Sequence, residues 1–207
     1  MKRRSFDLLA PLYDLGVSII AFFLGGEDRL RQTVTDALAP MKGRRVLDVF
    51  TGTGAIALRA ASDGAHVVAL DLSQGMLSVA QEKSRVKAVP IALVAADAAL
   101  MPFADNTFDV VVASMGLHEI TRDMATAAIN ESYRVLKHGG RLGIFDYHRA
   151  EGLAGFLHGL FFAFAEGESA REWVLSDIQQ RLSTAGFKGF HRKFLLRGAL
   201  QVITVEK

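Results

Sequence analysis

The feature of this sequence that most limits its possible folds is a regular alternation between short apolar runs and helix-like segments. The helix-like segments lie near 54–63, 73–87 and 121–137. Strands that alternate with helices usually form a parallel sheet that is covered on both faces. The predicted strands are "RRVLDVF" (44–50), "HVVALDL" (66–72), "PIALVAAD" (90–97), "FDVVVASM" (108–115) and "RLGIFDY" (141–147). This order predicts an α/β fold with a doubly wound, Rossmann-like sheet.

The C-terminal part of the chain departs from this alternation. A helix is predicted near 171–185, and the strands "GFHRKFLL" (189–196) and "ALQVITVEK" (199–207) follow it. Because only Arg197 and Gly198 separate the two strands, they are expected to form a hairpin. The prediction is therefore a mostly parallel seven-stranded sheet with an antiparallel C-terminal hairpin at its edge. A chain of 207 residues suits one domain of this size.

Composition excludes several classes of function. The chain has no cysteine, which rules out disulfides, cysteine-ligated metal sites and a cysteine nucleophile, and which suits a reducing, cytoplasmic location. A net charge of +2 gives no support to nucleic-acid binding. No metal site is expected, because the histidines show no ligand spacing. The six histidines are His66, His118, His138, His148, His158 and His191.

Two apolar stretches, 15–26 and 152–165, allow more than one interpretation. Both are shorter than the roughly 20 residues that a membrane-spanning helix needs. They are either helices packed on the core, or a hydrophobic wall around a lipophilic substrate, with peripheral contact to a membrane surface. A helix that is apolar over most of its girth must bury both of its sides. A partner subunit in a homodimer is therefore a further alternative for 152–165.

Acidic side chains recur at or near the ends of the predicted strands. Asp48, Asp71, Asp97 and Asp146 occupy such positions in four of the five strands. The carboxyl ends of parallel strands meet at one edge of an open sheet, and ligands bind there, where the strand order reverses. The sequence therefore predicts a ligand site with several carboxylates at this edge. Ser114, Tyr147 and His148 also end or follow predicted strands.

The turn Thr51–Gly54 after the first strand is compatible with two kinds of ligand. Its two glycines, with Ala57, fit the loose dinucleotide-binding pattern, and Asp71 lies near the spacing of a ribose-binding acid. An oxidoreductase that uses a nicotinamide cofactor is therefore one alternative. Asp48 argues against it, because an acid one short loop away would repel a pyrophosphate. S-adenosylmethionine carries a sulfonium and an ammonium but no phosphate, and it suits a site with several acids.

Longer motifs resemble those of class I S-adenosylmethionine-dependent methyltransferases, and most of all the ubiquinone/menaquinone biosynthesis (UbiE-type) group. "VLDVFTGTG" and "ALDLSQGML" are similar to the first and second motifs of that family. "AADAALMPFADNTFDVVVASMGL" resembles its third region, and "YRVLKHGGRLGIFD" resembles the segment before the fifth strand. "FDLLAPLYD" (6–14) looks like the N-terminal segment that folds over the cofactor. The resemblance implies an N-terminal helical lid at 1–40 and a cofactor-binding core at 41–207.

The same resemblance implies a set of contacts to S-adenosylmethionine. Asp71 would bind the ribose hydroxyls and Asp97 the adenine amino group, with Phe103 among the apolar contacts to the ring. Tyr13 would close over the cofactor, where its ring would attract the sulfonium. The residues predicted to contact the cofactor are Tyr13, Asp48, Gly52, Thr53, Gly54, Asp71, Leu72, Met76, Asp97, Ala98 and Ser114.

One departure from the family concerns the acceptor. Quinone-pathway relatives carry an Arg-Asn pair where this chain has His118 and Glu119. A carbon or oxygen acceptor must also lose a proton. His118, His148 and Tyr147 are therefore the predicted catalytic residues, with Asp146 as an alternate. The predicted function is methyl transfer to a small, lipophilic acceptor that is quinone-like or lipid-like; the alternatives are a nicotinamide-dependent oxidoreductase and a protein that binds S-adenosylmethionine without catalysis.

Overall fold

Seven strands form one sheet in the part of the protein that the computed structural model describes, residues 27–148 and 167–207. They are β1 (Arg45–Val49), β2 (His66–Asp71), β3 (Ala92–Ala95), β4 (Phe108–Ser114), β5 (Leu136–Tyr147), β6 (Lys188–Leu195) and β7 (Leu200–Glu206). Their order is β3-β2-β1-β4-β5-β7-β6. β1 to β5 are parallel, whereas β7 runs antiparallel to both of its neighbours, β5 and β6. The predicted α/β fold with its C-terminal hairpin is confirmed.

Helices connect the strands and cover both faces of the sheet. In the described residues they are α1 (Glu27–Leu38), α2 (Ala55–Ser62), α3 (Gln74–Lys87), α4 (Arg122–Val135), α5 (Gly167–Leu175) and α6 (Ile178–Thr184). α3 begins after Ser73, whose side chain accepts a hydrogen bond from the Met76 N–H, as expected of a helix cap. Thr121 caps α4 in the same way. Among these residues no helix is long and apolar enough to cross a membrane.

The core consists of two layers, one on each face of the sheet. On one face, Ile129, Trp173 and Leu182 from α4, α5 and α6 pack on the strands. On the other face, Leu38 and Ile56 from α1 and α2 do so. Successive side chains of a strand point to opposite faces. This is why the apolar runs of β1 and β4 are continuous rather than alternating.

The end of α1 belongs to the core. Val34 and Leu38 are fully buried, and Leu38 lies against Gly143 of β5, where a side chain would collide with it. Arg141 donates hydrogen bonds to the carbonyl oxygens of Leu38 and Ala39. The last turns of the segment predicted as a lid, 1–40, are thus part of the core packing, and residues 1–26 lie outside the described part of the chain.

Most predicted elements differ from the structure by one or two residues at an end, and three differences have an identifiable structural cause or are larger. The helix predicted at 171–185 is two helices, because Ser176 donates to the Trp173 carbonyl at the end of α5 and Asp177 then caps α6. The fifth strand begins at Leu136 rather than at residue 141, since Leu136 pairs with Phe108 of β4. The third strand covers four residues, Ala92–Ala95, and is shorter than predicted.

Candidate active site

A cavity of about 190 Å³ lies at the carboxyl ends of the parallel strands. It is centred on the point where the strand order reverses, because β2 and β4 lie on opposite sides of β1. Of the residues predicted to contact the cofactor, six line this cavity: Gly52, Asp71, Leu72, Met76, Asp97 and Ala98. On its other side it is lined by Phe50, Met115, Gly116, Glu119, Ile120 and Met124. The cavity thus has one wall after β2 and β3 and another after β4.

Asp71 ties the β1 turn to the start of α3. One carboxylate oxygen accepts a hydrogen bond from the Gly52 N–H at 2.8 Å, and the other accepts from the Ser73 N–H at 2.9 Å. The side chain is half-buried and lines the cavity. A carboxylate has further lone pairs beyond these two hydrogen bonds. Asp71 therefore presents a carboxylate to the cavity, and its contact with ribose hydroxyls stays a prediction.

The wall after β2 and β3 combines one more acid with apolar surface. Asp97 accepts a hydrogen bond from the Ala99 N–H at 2.8 Å, which orients its carboxylate in the turn after β3. Met76 and Ala98 are buried beside it, and Leu72 is 42% exposed at the rim. Phe103, also predicted to contact the cofactor, instead packs edge-on against Phe108 with 5.1 Å between ring centres. This wall thus combines apolar side chains with the carboxylate of Asp97.

The glycine turn serves two different purposes. Gly52 has a left-handed backbone (φ +54°) and lines the cavity. Gly54 (φ +81°) caps α2 and allows close packing of α3, because a side chain there would lie 3.0 Å from Cβ of Ala80. Thr53 is buried, and its hydroxyl accepts a hydrogen bond from Lys83 Nζ at 2.9 Å. The cavity lining includes Gly52 but neither Thr53 nor Gly54.

Asp48 is buried behind the turn and does not line the cavity. Its Oδ2 accepts hydrogen bonds from Thr51 Oγ1 at 2.6 Å and from the Ala57 N–H at 3.0 Å, in the first turn of α2. Its Oδ1 is buried without a hydrogen-bond partner. Burial raises the pKa of Asp48 to about 7, although the two hydrogen bonds lower it. The described contacts give this residue a role in holding the turn; direct contact with a cofactor stays a prediction.

Strained backbone marks the junction of the two walls. Phe50 (φ +60°) and Met115 (φ +53°) follow β1 and β4, and both adopt the left-handed conformation that bulky residues avoid. The Phe50 side chain occupies the space beside Gly116, where an added Cβ would lie 2.3 Å from Cγ of Phe50. Such strain costs on the order of 1–3 kcal/mol per residue and clusters at functional sites. Its position between the two walls supports the assignment of this cavity as the site.

We expect Gly116→Ala to destabilise the protein by about 1–3 kcal/mol, because the new methyl group overlaps the Phe50 ring. Urea unfolding measures the effect. In a Phe50→Ala background the same substitution should cost much less, since the collision partner is gone. Equal costs in the two backgrounds would show that the contact with Phe50 does not constrain residue 116.

The predicted catalytic residues lie in different places. His118 is 3% exposed, and its Nδ1 lies 2.6 Å from Oδ1 of Asp146. The Tyr147 ring packs against His118 with 4.6 Å between ring centres. His148 is held at the β6–β7 hairpin, with its Nδ1 3.0 Å from the Gly198 carbonyl oxygen and its ring against Phe194. The structure therefore brings His118, Tyr147 and Asp146 together and leaves His148 apart from them.

Two more residues predicted to contact the cofactor are Ser114 and Tyr13. Ser114 ends β4 and is half-buried, but it is not among the residues that line the cavity. Tyr13 lies outside the described residues. Within 27–148 and 167–207, no group of three or more histidine, aspartate or glutamate side chains is arranged to hold a metal ion.

Sequence reasoning did not assign a role in the site to Phe50, Met115 or Glu119. The usable signal was topological: β4 lies next to β1, so the turn after β4 must border the same cavity as the turn after β1. The pairing of His118 with Asp146, 28 residues apart, follows from the parallel alignment of β4 and β5. Both follow once the strands are placed in the order of a doubly wound sheet, whereas the φ angles of Phe50 and Met115 do not.

This fold and site define a Rossmann-like α/β protein whose ligand cavity is lined by several acids. Residues 46–140 match the family described as methyltransferase domain. The chain is 33% identical to an uncharacterized methyltransferase of Synechocystis over 93% of this chain and 89% of that protein. The chain belongs to the S-adenosylmethionine-dependent methyltransferase family.

Other relatives carry more specific names. A demethylmenaquinone methyltransferase of Renibacterium salmoninarum is 39% identical over 142 residues, which is 69% of this chain and 56% of that protein. Further relatives share that name or are named ubiquinone/menaquinone biosynthesis C-methyltransferase UbiE. This confirms the resemblance to the UbiE-type group. The aligned region nevertheless spans little more than half the length of the first of these relatives.

The same fold occurs in a solved structure. The crystal structure of the [4+2]-cyclase SpnF matches with a TM-score of 0.76 and covers 99% of this chain and 94% of its own. The two sequences are 22% identical, so the likeness establishes the fold alone.

Proposed function

We propose that this protein transfers a methyl group from S-adenosylmethionine to a small acceptor. The observation that carries the proposal is the cavity itself. Its lining combines three carboxylates, Asp71, Asp97 and Glu119, with Gly52 of the glycine turn and with apolar side chains. When bound, S-adenosylmethionine supplies a methyl group on a positively charged sulfur. Three carboxylates favour a ligand with two cationic centres over one with a pyrophosphate.

The residues of the cavity suit the adenosyl part of this cofactor. Asp71 is positioned to accept hydrogen bonds from both ribose hydroxyls, and Asp97 to accept one from an adenine amino group. Met76 and Ala98 supply apolar contact for the adenine ring, and Leu72 covers it from the rim. Gly52 has no side chain, so the turn leaves room for the methionine part.

Asp48 contributes less to this preference than its position in the sequence suggests. Its carboxylate faces Thr51 and Ala57 rather than the cavity, and burial raises its pKa to about 7. The argument against a nicotinamide cofactor therefore depends on the three acids of the cavity wall. Calorimetry separates the two classes of ligand. S-adenosylmethionine is expected to bind, and tighter binding of a nicotinamide dinucleotide would contradict the proposal.

The acceptor that we propose is a lipophilic hydroquinone. Relatives are named for menaquinone and ubiquinone biosynthesis, and the apolar stretches 15–26 and 152–165 are the parts of the chain predicted to contact an apolar tail. Neither stretch is described in the structure. Peripheral contact with a membrane and a homodimer remain predictions that accompany this acceptor class.

We expect a short-chain prenylated naphthohydroquinone to have a Michaelis constant at least about tenfold lower than the unprenylated ring, because each buried CH₂ contributes roughly 0.8 kcal/mol. Transfer of an isotopically labelled methyl group measures both acceptors, with the cofactor in excess. Equal Michaelis constants for the prenylated and the unprenylated acceptor would contradict a lipophilic acceptor site. Binding of S-adenosylmethionine without transfer to any acceptor would identify a binding protein.

A further inference from the structure

The turn after β4 presents a carboxylate to the cavity. Leu117–Glu119 forms one turn of 3₁₀ helix, and Ile120 and Thr121 connect it to α4. The Glu119 side chain lines the cavity and is 32% exposed. It is therefore accessible to a bound molecule.

Behind this turn lies a buried acid. Asp146 of β5 has no exposed surface and accepts hydrogen bonds from the Leu117 N–H at 3.2 Å and the Tyr147 N–H at 2.7 Å. Its Oδ1 also lies 2.6 Å from His118 Nδ1. Asp146 thus fixes both the backbone of the turn and the orientation of the imidazole.

His118 connects this buried acid to Glu119. The two residues are neighbours in the same 3₁₀ turn, and Nε2 lies 4.0 Å from Oε1 of Glu119, beyond hydrogen-bond distance, so the backbone of the turn links the buried acid to Glu119. The imidazole is 3% exposed and does not line the cavity. A base that touches the acceptor, which is the predicted role of His118, would have to reach the cavity, and the described contacts do not take the imidazole there.

Glu119 and Asp71 lie on opposite sides of β1. Asp71 ends β2 and Glu119 follows β4, and these two strands are separated by β1 alone. Neighbouring strands are about 4.8 Å apart, so the strands that precede the two carboxylates lie about 10 Å apart. Asp71 and Asp97 both lie on the β2–β3 side, where the adenosyl part fits. The β4 side of the cavity is lined by Glu119, Ile120 and Met124, and it is the part left to hold the acceptor.

We propose that Glu119 accepts the proton that the acceptor loses, and that His118 and Asp146 are positioning residues that hold Glu119 in place. This inference rests on the proposed methyl transfer. The acceptor hydroxyl gives its proton to the Glu119 carboxylate, and the oxyanion activates either the oxygen or the neighbouring ring carbon. The acceptor gains a bond to the methyl carbon as the carbon–sulfur bond breaks, and S-adenosylhomocysteine leaves. If carbon is methylated, the displaced ring proton returns to the oxygen, so one proton is released per methyl group in either case.

Glu119→Gln tests the proposal with S-adenosylmethionine and the prenylated naphthohydroquinone as probes. The amide keeps the size of the side chain but cannot act as the base, so kcat should fall at least about 100-fold. Calorimetry without acceptor should show a much smaller change in the dissociation constant for S-adenosylmethionine, at most about tenfold, because only one of the three carboxylate charges of the cavity is removed, and the melting temperature should be unchanged. Glu82→Gln is the matched control, since Glu82 is exposed on α3 and pairs with Arg85. It should leave all three quantities unchanged.

Two further variants separate a positioning role from a structural one. Glu119→Asp keeps the carboxylate, so its kcat should lie between those of Glu119→Gln and of the wild type. If Glu119→Gln does not fold, Glu119→Asp serves as the test variant. His118→Asn should lower kcat about tenfold in the wild-type background and have little effect in the Glu119→Gln background, because both changes act through the same proton transfer. Equal effects in the two backgrounds would refute the positioning role.

The outcomes distinguish this inference from the proposed function. Full activity of Glu119→Gln in a protein whose wild type methylates the probe would overturn the inference alone. A wild type that binds S-adenosylmethionine but methylates no proton-bearing acceptor would overturn both.

Discussion

Asp71→Ala should weaken the binding of S-adenosylmethionine by about 2–4 kcal/mol, or roughly 30- to 700-fold in the dissociation constant. Two charge-assisted hydrogen bonds to the ribose hydroxyls would be lost. The substitution also frees the Gly52 and Ser73 N–H groups, which Asp71 now binds. Isothermal titration calorimetry measures the loss, and circular dichroism checks that the fold survives.

Two controls separate loss of ribose binding from loosening of the turn. Ser73→Ala removes the hydrogen bond to the Met76 N–H, which loosens the start of α3 but leaves the Asp71 carboxylate in place. Asp109→Ala removes a carboxylate that binds the Arg45 N–H and Lys137 at the opposite end of the sheet. Both should change the dissociation constant less than threefold. If Ser73→Ala matched Asp71→Ala, the turn rather than the ribose contact would account for the loss.

The stability of the protein should depend on pH through Asp48. Burial raises the pKa of its carboxyl from the ordinary 3.8 to about 7. Below pH 3.8 the carboxyl is protonated in the folded and the unfolded state. Between pH 3.8 and 7 the unfolded chain gives up this proton while the folded chain keeps it, so stability falls by about 1.4 kcal/mol per pH unit. Above pH 7 both states are ionised and the loss levels off.

Asp48→Asn should remove this dependence, because its amide oxygen can accept from Thr51 and Ala57 and it does not titrate. From pH 5 to pH 8, the free energy of unfolding of the variant should rise relative to wild type by about 3 kcal/mol. Urea unfolding of both proteins at the two values measures this difference, and the other titrating groups cancel in the comparison. A difference that does not change with pH would show that Asp48 keeps an ordinary pKa in the folded protein.

Much of the fold follows from local sequence patterns. The apolar runs that became β1, β2 and β4 are short, continuous and separated by helical segments, and such runs bury both sides of a central strand. The start of α3 is local too, because the Ser73 hydroxyl lies directly before the helix and binds a free N–H of its first turn. The exact limits of α5, α6 and β5 were missed, since they depend on the side-chain contacts of Ser176 and Asp177 and on the pairing of Leu136 with Phe108.

The sequence by itself determined the α/β fold class, the glycine turn and the acids at the strand ends. Each of these depends on residue type and on spacing along the chain. Only the tertiary structure decided which of those acids face the cavity. Asp71 and Asp97 line the cavity, whereas Asp48 and Asp146 lie behind it as buried supports. A strand end gives a side chain its position along the sheet edge, but the direction of the carboxylate depends on which N–H groups neighbouring segments bring within reach. Those segments are distant in sequence, so residue spacing along the chain does not predict which of them will meet.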